Sequence, residues 1–393
     1  MLWSSACQRA GVGLLLRRWS LSVRPGILTK PRCPLSTPRS SFSTSATSAS
    51  VKCPAHEEVK QPLKQWTLTV SPFSSVRAQL SCSISISPLD PHSFPEADRV
   101  FLTVHGSDTE QPEVGVDHVH VHYDDQSSEL LISADKVNSS VSVDLTAPIK
   151  CNLFITTRGE GNVEVKNMEC NICEVQTERG NCSLHSVKGH QIQVQSRGGR
   201  VTGVGTIHGN VDISTCGAAG VDVKKLQGTR MNVSTERGSL KVKAIYAESS
   251  SISSSSGRIQ LGLVHGDATV KNVSGDTVID GSNSSLSVSS DSGGIDVYVG
   301  DGSSADLHSQ KGAVCVRVPS SLKAGVELCG ESMEISPEVV LSALEKNTSQ
   351  GQTTVTGYMN GASAVDQWVK ARADTGSVAL KTQSWFESLK LGS

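Results

Sequence analysis

Asp117-His118-Val119-His120-Val121-His122-Tyr123-Asp124-Asp125 is the stretch whose residue types could most directly do chemistry. On a strand, side chains two apart share a face, about 6.6 Å from each other. An adjacent pair, His118 with His120 or His120 with His122, could chelate Zn²⁺ or Cu²⁺ with a carboxylate. The outer two histidines lie roughly 13 Å apart, too far to reach one ion with the third. His118, His120 and His122 are therefore the candidate metal ligands. The plain alternative puts Val119 and Val121 in the core and the histidines in water.

Cysteine gives a second pattern. Cys170-Asn171-Ile172-Cys173, Cys182 and His185 spell C-x2-C-x8-C-x2-H, near the spacing of a zinc site. Against this, Cys173 falls where Ile192 and Met231 fall later in the chain, and Cys182 falls where Leu240 falls. Buried thiols behave as small hydrophobes, so core packing is the expectation. Asp291, Asp296, Asp301 and Asp306 stand beside Gly293, Gly294, Gly300 and Gly302. Oxygen ligands in turns can hold Ca²⁺, yet the tandem Gly-Gly-x-Gly-x-Asp calcium repeat is absent, and turn-forming Asp is the simpler reading. Gly203-Val204-Gly205 and Gly300-Asp301-Gly302 do not complete a dinucleotide fingerprint, and there is no phosphate loop or Gly-x-Ser-x-Gly elbow. No resident cofactor and no catalytic residue is expected.

What must position these residues is a repeat. A small hydroxyl residue, two variable residues and Gly lead into an alternating apolar strand: Thr177-Glu178-Arg179-Gly180, Thr235-Glu236-Arg237-Gly238, Ser254-Ser255-Ser256-Gly257, Ser309-Gln310-Lys311-Gly312. The glycines recur almost throughout at 18 to 19 residues. Met168, Val187, Ile207, Leu226, Ile245 and Val264 form a second column of the same period. Two columns with one period mean one structural unit per repeat. The fold expected is all-β: a β-solenoid, or β-helix, of coils of about 18–20 residues, in which each corner Gly permits positive φ and a tight bend.

The ends differ from the middle. Residues 1–50 carry seven bases and no acid, and are rich in Ser and Arg. That is the composition of a mitochondrial transit peptide, with the matrix as destination; the rival is a secretory signal, whose apolar run, Gly11 to Leu16, is short and followed at once by two arginines. The remaining chain has 29 basic against 38 acidic residues, about −9, which argues against nucleic acid as a partner. No apolar run is long enough for a membrane-spanning helix. Residues 51–65 read as a linker, 66–150 as irregular first coils with an N-terminal cap, and 151–330 as the regular solenoid. Residues 331–393 read as a helical insertion, last coil and C-terminal cap. Pro337 to Lys346 supplies the helix, with Pro in its first turn, and Trp385 and Phe386 seal the end.

The Ser/Thr-x-x-Gly-x-Val-x-Val coils resemble the putative-adhesin family of β-solenoids, a domain of unknown function. Val143-Asp144-Leu145-Thr146-Ala147-Pro148 and Val314-Cys315-Val316-Arg317-Val318-Pro319 are similar to that family's strand entering a coil. The resemblance spans about 100–385 and implies a β-solenoid without catalytic residues to carry over. The function expected is a non-catalytic scaffold for an unknown protein partner in mitochondria. The alternative is a metal-dependent or polysaccharide-acting enzyme built on a β-helix.

Overall fold

The computed structural model describes residues 61–106, 118–134, 141–361 and 367–384. The expected leader, Trp385 and Phe386 lie outside them. Every regular element among the described residues is a strand, and all 27 strands join one continuous sheet. The sheet is wound into a β-solenoid. The first strand, Gln61–Thr69, starts inside the stretch expected as linker.

Two parallel ladders run the length of the molecule. One carries Asn152–Thr157, Glu169–Thr177, Lys188–Ser196 and then 211–215, 231–235 and 249–254. The other carries Val163–Lys166, Cys182–His185 and then 201–204, 221–223, 240–242 and 259–261. Along each strand, alternate side chains enter the coil, so like positions stack: Cys173, Ile192, Val211, Met231 in one column, Cys182, Val201, Val221, Leu240 in another. All eight are 2% exposed or less. The second sequence column, Met168 to Val264, is buried throughout at 1% or less. A single coil cannot offset its ordering entropy; stacked neighbours supply the burial.

The repeat phrase makes the first corner. Ser196 Oγ donates to Gly199 O at 2.6 Å, and Gly257 N, Gly293 N and Gly312 N donate to Ser254, Ser290 and Ser309 Oγ at 2.8, 2.8 and 2.9 Å. The hydroxyl thus satisfies the turn's own backbone three residues on. Thr157 and Thr177 hold equivalent places with hydroxyls that find no partner among the described residues. The reason for Gly differs from the expectation. Positive φ is confined in this column to Gly275; Gly180, Gly199, Gly238, Gly257, Gly293 and Gly312 do not have it. A Cβ at Gly238 would instead stand 1.8 Å from Ala219 O of the coil below, and one at Gly199 would stand 1.8 Å from Gly180 O. Close stacking of backbone excludes a side chain there.

Two identical phrases, Thr-Glu-Arg-Gly at 177–180 and 235–238, share one further task. Each follows a coil whose corner holds an extra residue, a Gly with positive φ at 159 and at 217. Glu178 accepts from Gly159 N at 2.7 Å, and Glu236 accepts from Gly217 N at 2.6 Å. The carboxylate closes the wider corner beneath it.

Both ends of the stack are interleaved. Ser75–Leu80 and Ser83–Pro88 lie between Glu129–Ala134/Ser142–Ala147 on one side and Asn152–Thr157/Val163–Lys166 on the other. Likewise Trp368–Ala373 and Ser377–Thr382 lie between Ser304–Ser309/Val314–Val318 and Gly325–Gly330/Ser332–Ile335. Antiparallel strands then cover the outermost edges: Val119–Asp124 and Arg99–Gly106 at one end, Gln352–Met359 and Leu341–Ser349 at the other.

That last pair replaces the helix expected at 337–346. Leu341–Ser349 is a strand of a hairpin with Gln352–Met359. Its two loop residues, Gln350 and Gly351, have φ of 51° and 81°, the pattern of a type I′ turn. The local helix signal loses because the edge of Gly325–Gly330 needs covering, and a hairpin supplies the ladder bonds that a helix would not.

Candidate functional site

The second turn of each coil leaves a furrow. After the buried column, the chain rounds a corner at Cys170, Gly189, Gly209 and Gly228. A Cβ on Gly209 would meet Gly189 O at 1.9 Å, and one on Gly228 would meet Gly209 O at 2.1 Å. Bare backbone therefore forms the floor. The walls are the residues before and after the corner: Glu169 and Asn171, Lys188 and His190, His208 and Asn210, then Thr229, with Lys150 and Phe73 at one end. The furrow holds about 620 Å³. It crosses the coils from Lys150 to Thr229, a run of about 19 Å at the strand spacing of about 4.8 Å.

Its electrostatics are mixed toward positive. Lys188 Nζ lies 2.6 Å from Glu169 Oε1, which neutralises both. His208 Nδ1 lies 3.3 Å from the backbone O of Gln227. Phe73 is 69% exposed, an aromatic ring held in water at the furrow's end. Cys170 is 5% exposed on the furrow floor. A hydrogen bond from Cys173 holds its thiol below the ordinary range, and the same bond, with burial, lifts Cys173. The corner glycines were legible as a third column of the repeat, since positions 189, 209 and 228 are spaced like the other two. The two columns followed in the sequence did not include it.

The residues singled out by type sit elsewhere. His118, His120 and His122 are exposed along Val119–Asp124, with Val119 at 3% exposure beneath them. His120 pairs across the strands with Ser133 and His122 with Leu131. Cys173 and Cys182 point into the coil, whereas His185 points out, 2.9 Å from Ser183 Oγ and 3.4 Å from Glu164 Oε1. Burial pushes the Cys151 and Cys182 thiols up to about 12 and that of Cys82 to about 11, so these thiols stay protonated near neutral pH. Asp296 bonds Arg317, Asp301 accepts from Ser321 Oγ, and Asp291 and Asp306 are exposed on separate strands or turns. Among the described residues, no three His, Cys, Asp or Glu side chains converge to hold a metal ion. No helix among them is long and apolar enough to cross a membrane.

Solved structures similar to this chain are bacterial. A putative adhesin from Parabacteroides merdae is 13% identical over 65% of this chain and 95% of its own, with a TM-score of 0.41. A putative adhesin from Parabacteroides distasonis is 13% identical over 65% and 96%, with a TM-score of 0.39. A putative lipid binding protein from the same species is 12% identical over 82% and 96%, with a TM-score of 0.32. Residues 202–381, a little under half of the 393, match the Toastrack DUF4097 family model.

Proposed function

We propose that this protein is a non-catalytic scaffold in the mitochondrial matrix, and that its glycine-floored furrow takes an extended segment of a protein partner. The furrow is the single observation that carries the reading. It is long and narrow, crosses successive coils, and offers exposed backbone with a sparse lining of Lys150, His190 and His208. Solenoids present such lateral surfaces to extended partners. Lys150 favours a partner segment bearing carboxylates, His190 and His208 offer it hydrogen-bonding ring nitrogens, and Phe73 offers it an aromatic anchor. The acid-free, Arg-rich leader supports the mitochondrial address.

The test is proximity labelling in cells expressing the full chain, with Lys150→Glu/His190→Glu/His208→Glu as the comparison. These three surface changes should leave folding intact and remove one set of labelled matrix proteins. An unchanged partner set in the triple variant would sink the furrow as the binding surface. Labelling confined to proteins outside mitochondria would sink the address.

A further inference from the structure

A second cavity lies on the opposite course of the coil, over the strands 240–242, 259–261 and Thr277–Ser282. It holds about 180 Å³ and is lined by Lys241, Val242, Lys243, Gln260, Gly262, Leu263 and Asp280. Its unusual wall is Asp280. This residue lies on the outward side of its strand yet is 7% exposed. Its nearest cation is Arg317, itself 6% exposed, whose Nη2 stands 3.8 Å from Asp280 Oδ1.

The guanidinium is already committed. Nε donates to Asp296 at 2.6 Å, Nη1 to Gln383 Oε1 at 2.9 Å and Nη2 to Ile279 O at 3.2 Å. Asp280 is left with an ion pair at long range and no hydrogen bond among the described residues. Its oxygens are not sealed from solvent and open onto the cavity, where a donor on a ligand can reach them. Burial lifts its carboxyl above the ordinary range, against the pull of Arg317.

We propose that this cavity is a binding site for a small carboxylate carrying a hydrogen-bond donor on the adjacent carbon, an α-hydroxy or α-amino acid. The donor would satisfy Asp280. The ligand carboxylate would face Lys241 and Lys243, the two cations of the lining. Leu263 offers the short carbon chain an apolar wall. The volume suits a ligand of roughly six heavy atoms, since a water takes about 30 Å³ of liquid. Asp280 and Arg317 stand 37 residues apart, about two repeats, but nothing in the sequence marks them as facing one another.

The experiment is calorimetric titration of the full chain with glycolate, lactate, glycine, serine and acetate, repeated on Asp280→Asn and Lys243→Met. Either the hydroxy acids or the amino acids should bind, and that choice identifies the donor. Acetate should bind at least about tenfold more weakly, as should the preferred ligand to either variant, because a hydrogen bond to a charged group is lost. Thermal unfolding gives an independent readout on Asp280→Asn. A carboxyl raised in the folded state favours folding below its ordinary value and loses that contribution as pH rises through the raised one. Asp280→Asn should therefore hold or gain stability at neutral pH while losing ligand, and the gain should fade toward acid. Acetate binding as well as lactate or glycine overturns the proposal. So does no binding of any of the five compounds at millimolar concentration, or undiminished binding to both variants.

Discussion

At the scale of single residues, inward and outward positions one apart should respond differently. Leu240 is fully buried, and Lys241 beside it is partly exposed. Leu240→Ala should cost about 2–5 kcal/mol with its cavity. Lys241→Ala should stay within about 0.5 kcal/mol. The same contrast should recur one coil on, at Leu261 against Gln260, which pair with Val242 and Lys241 across the ladder. Gly238→Ala belongs to the same test. Its Cβ would stand 1.8 Å from Ala219 O and 2.7 Å from Gly220 N, so a whole coil must shift, at a cost of about 1–3 kcal/mol. Urea unfolding of the five variants reads all of this. Equal sensitivity at 240 and 241 would refute the register. A harmless Gly238→Ala would refute the close approach, because φ at that position offers no other objection.

At the scale of elements, the solenoid was legible and its ends were not. The apolar columns and the Ser/Thr-x-x-Gly corner are local and periodic, so sequence alone exposes them. The hairpin at 341–359 was missed because its strand face is almost wholly polar or exposed: Ser342 through Ser349 show no buried position to supply an alternating pattern. Its Gln350-Gly351 turn is a weaker signal than Asn-Gly, and Pro337 with Leu341, Ala343 and Leu344 imitates a helix start. The histidine strand is a further element-scale case. Among the described residues, Val119–Asp124 is an edge strand, paired with Glu129–Ala134 alone. Charged or polar residues on an exposed edge oppose pairing with another chain. Replacing His118, His120 and His122 jointly by Thr should leave thermal stability nearly unchanged, since exposed strand positions accept Thr. Metal analysis of purified wild type and variant decides the chemistry. Stoichiometric zinc or copper in the wild type, lost in the variant, would assign the strand a metal site instead.

At the scale of the molecule, the interleaved ends set how the stack holds together. In a plain solenoid the last coil in sequence is the last in space, and removing it exposes one edge. Here the strands Trp368–Ala373 and Ser377–Thr382 sit between the body and the end coil. The end coil, Gly325–Gly330 with Ser332–Ile335, makes its parallel pairings to those two strands and not to Ser304–Ser309 or Val314–Val318. Its hairpin cover, Gln352–Met359 with Leu341–Ser349, is joined to the body through it. Val369, Ala371, Val378 and Leu380, all 1% exposed or less, are the apolar contribution of the wedge. A chain ending after residue 366 keeps every residue of the end coil and hairpin but loses the layer that attaches them. Hydrogen exchange should then show residues 325–359 exchanging at the rate of unfolded chain, while 163–309 keep their protection, because stability in such arrays is set by nearest neighbours. A plain stack predicts the reverse: the end coil stays protected when later residues are removed. Retained protection across 325–359 would show that this coil can dock on Ser304–Ser309 unaided, and that the wedge closes the edge without joining it.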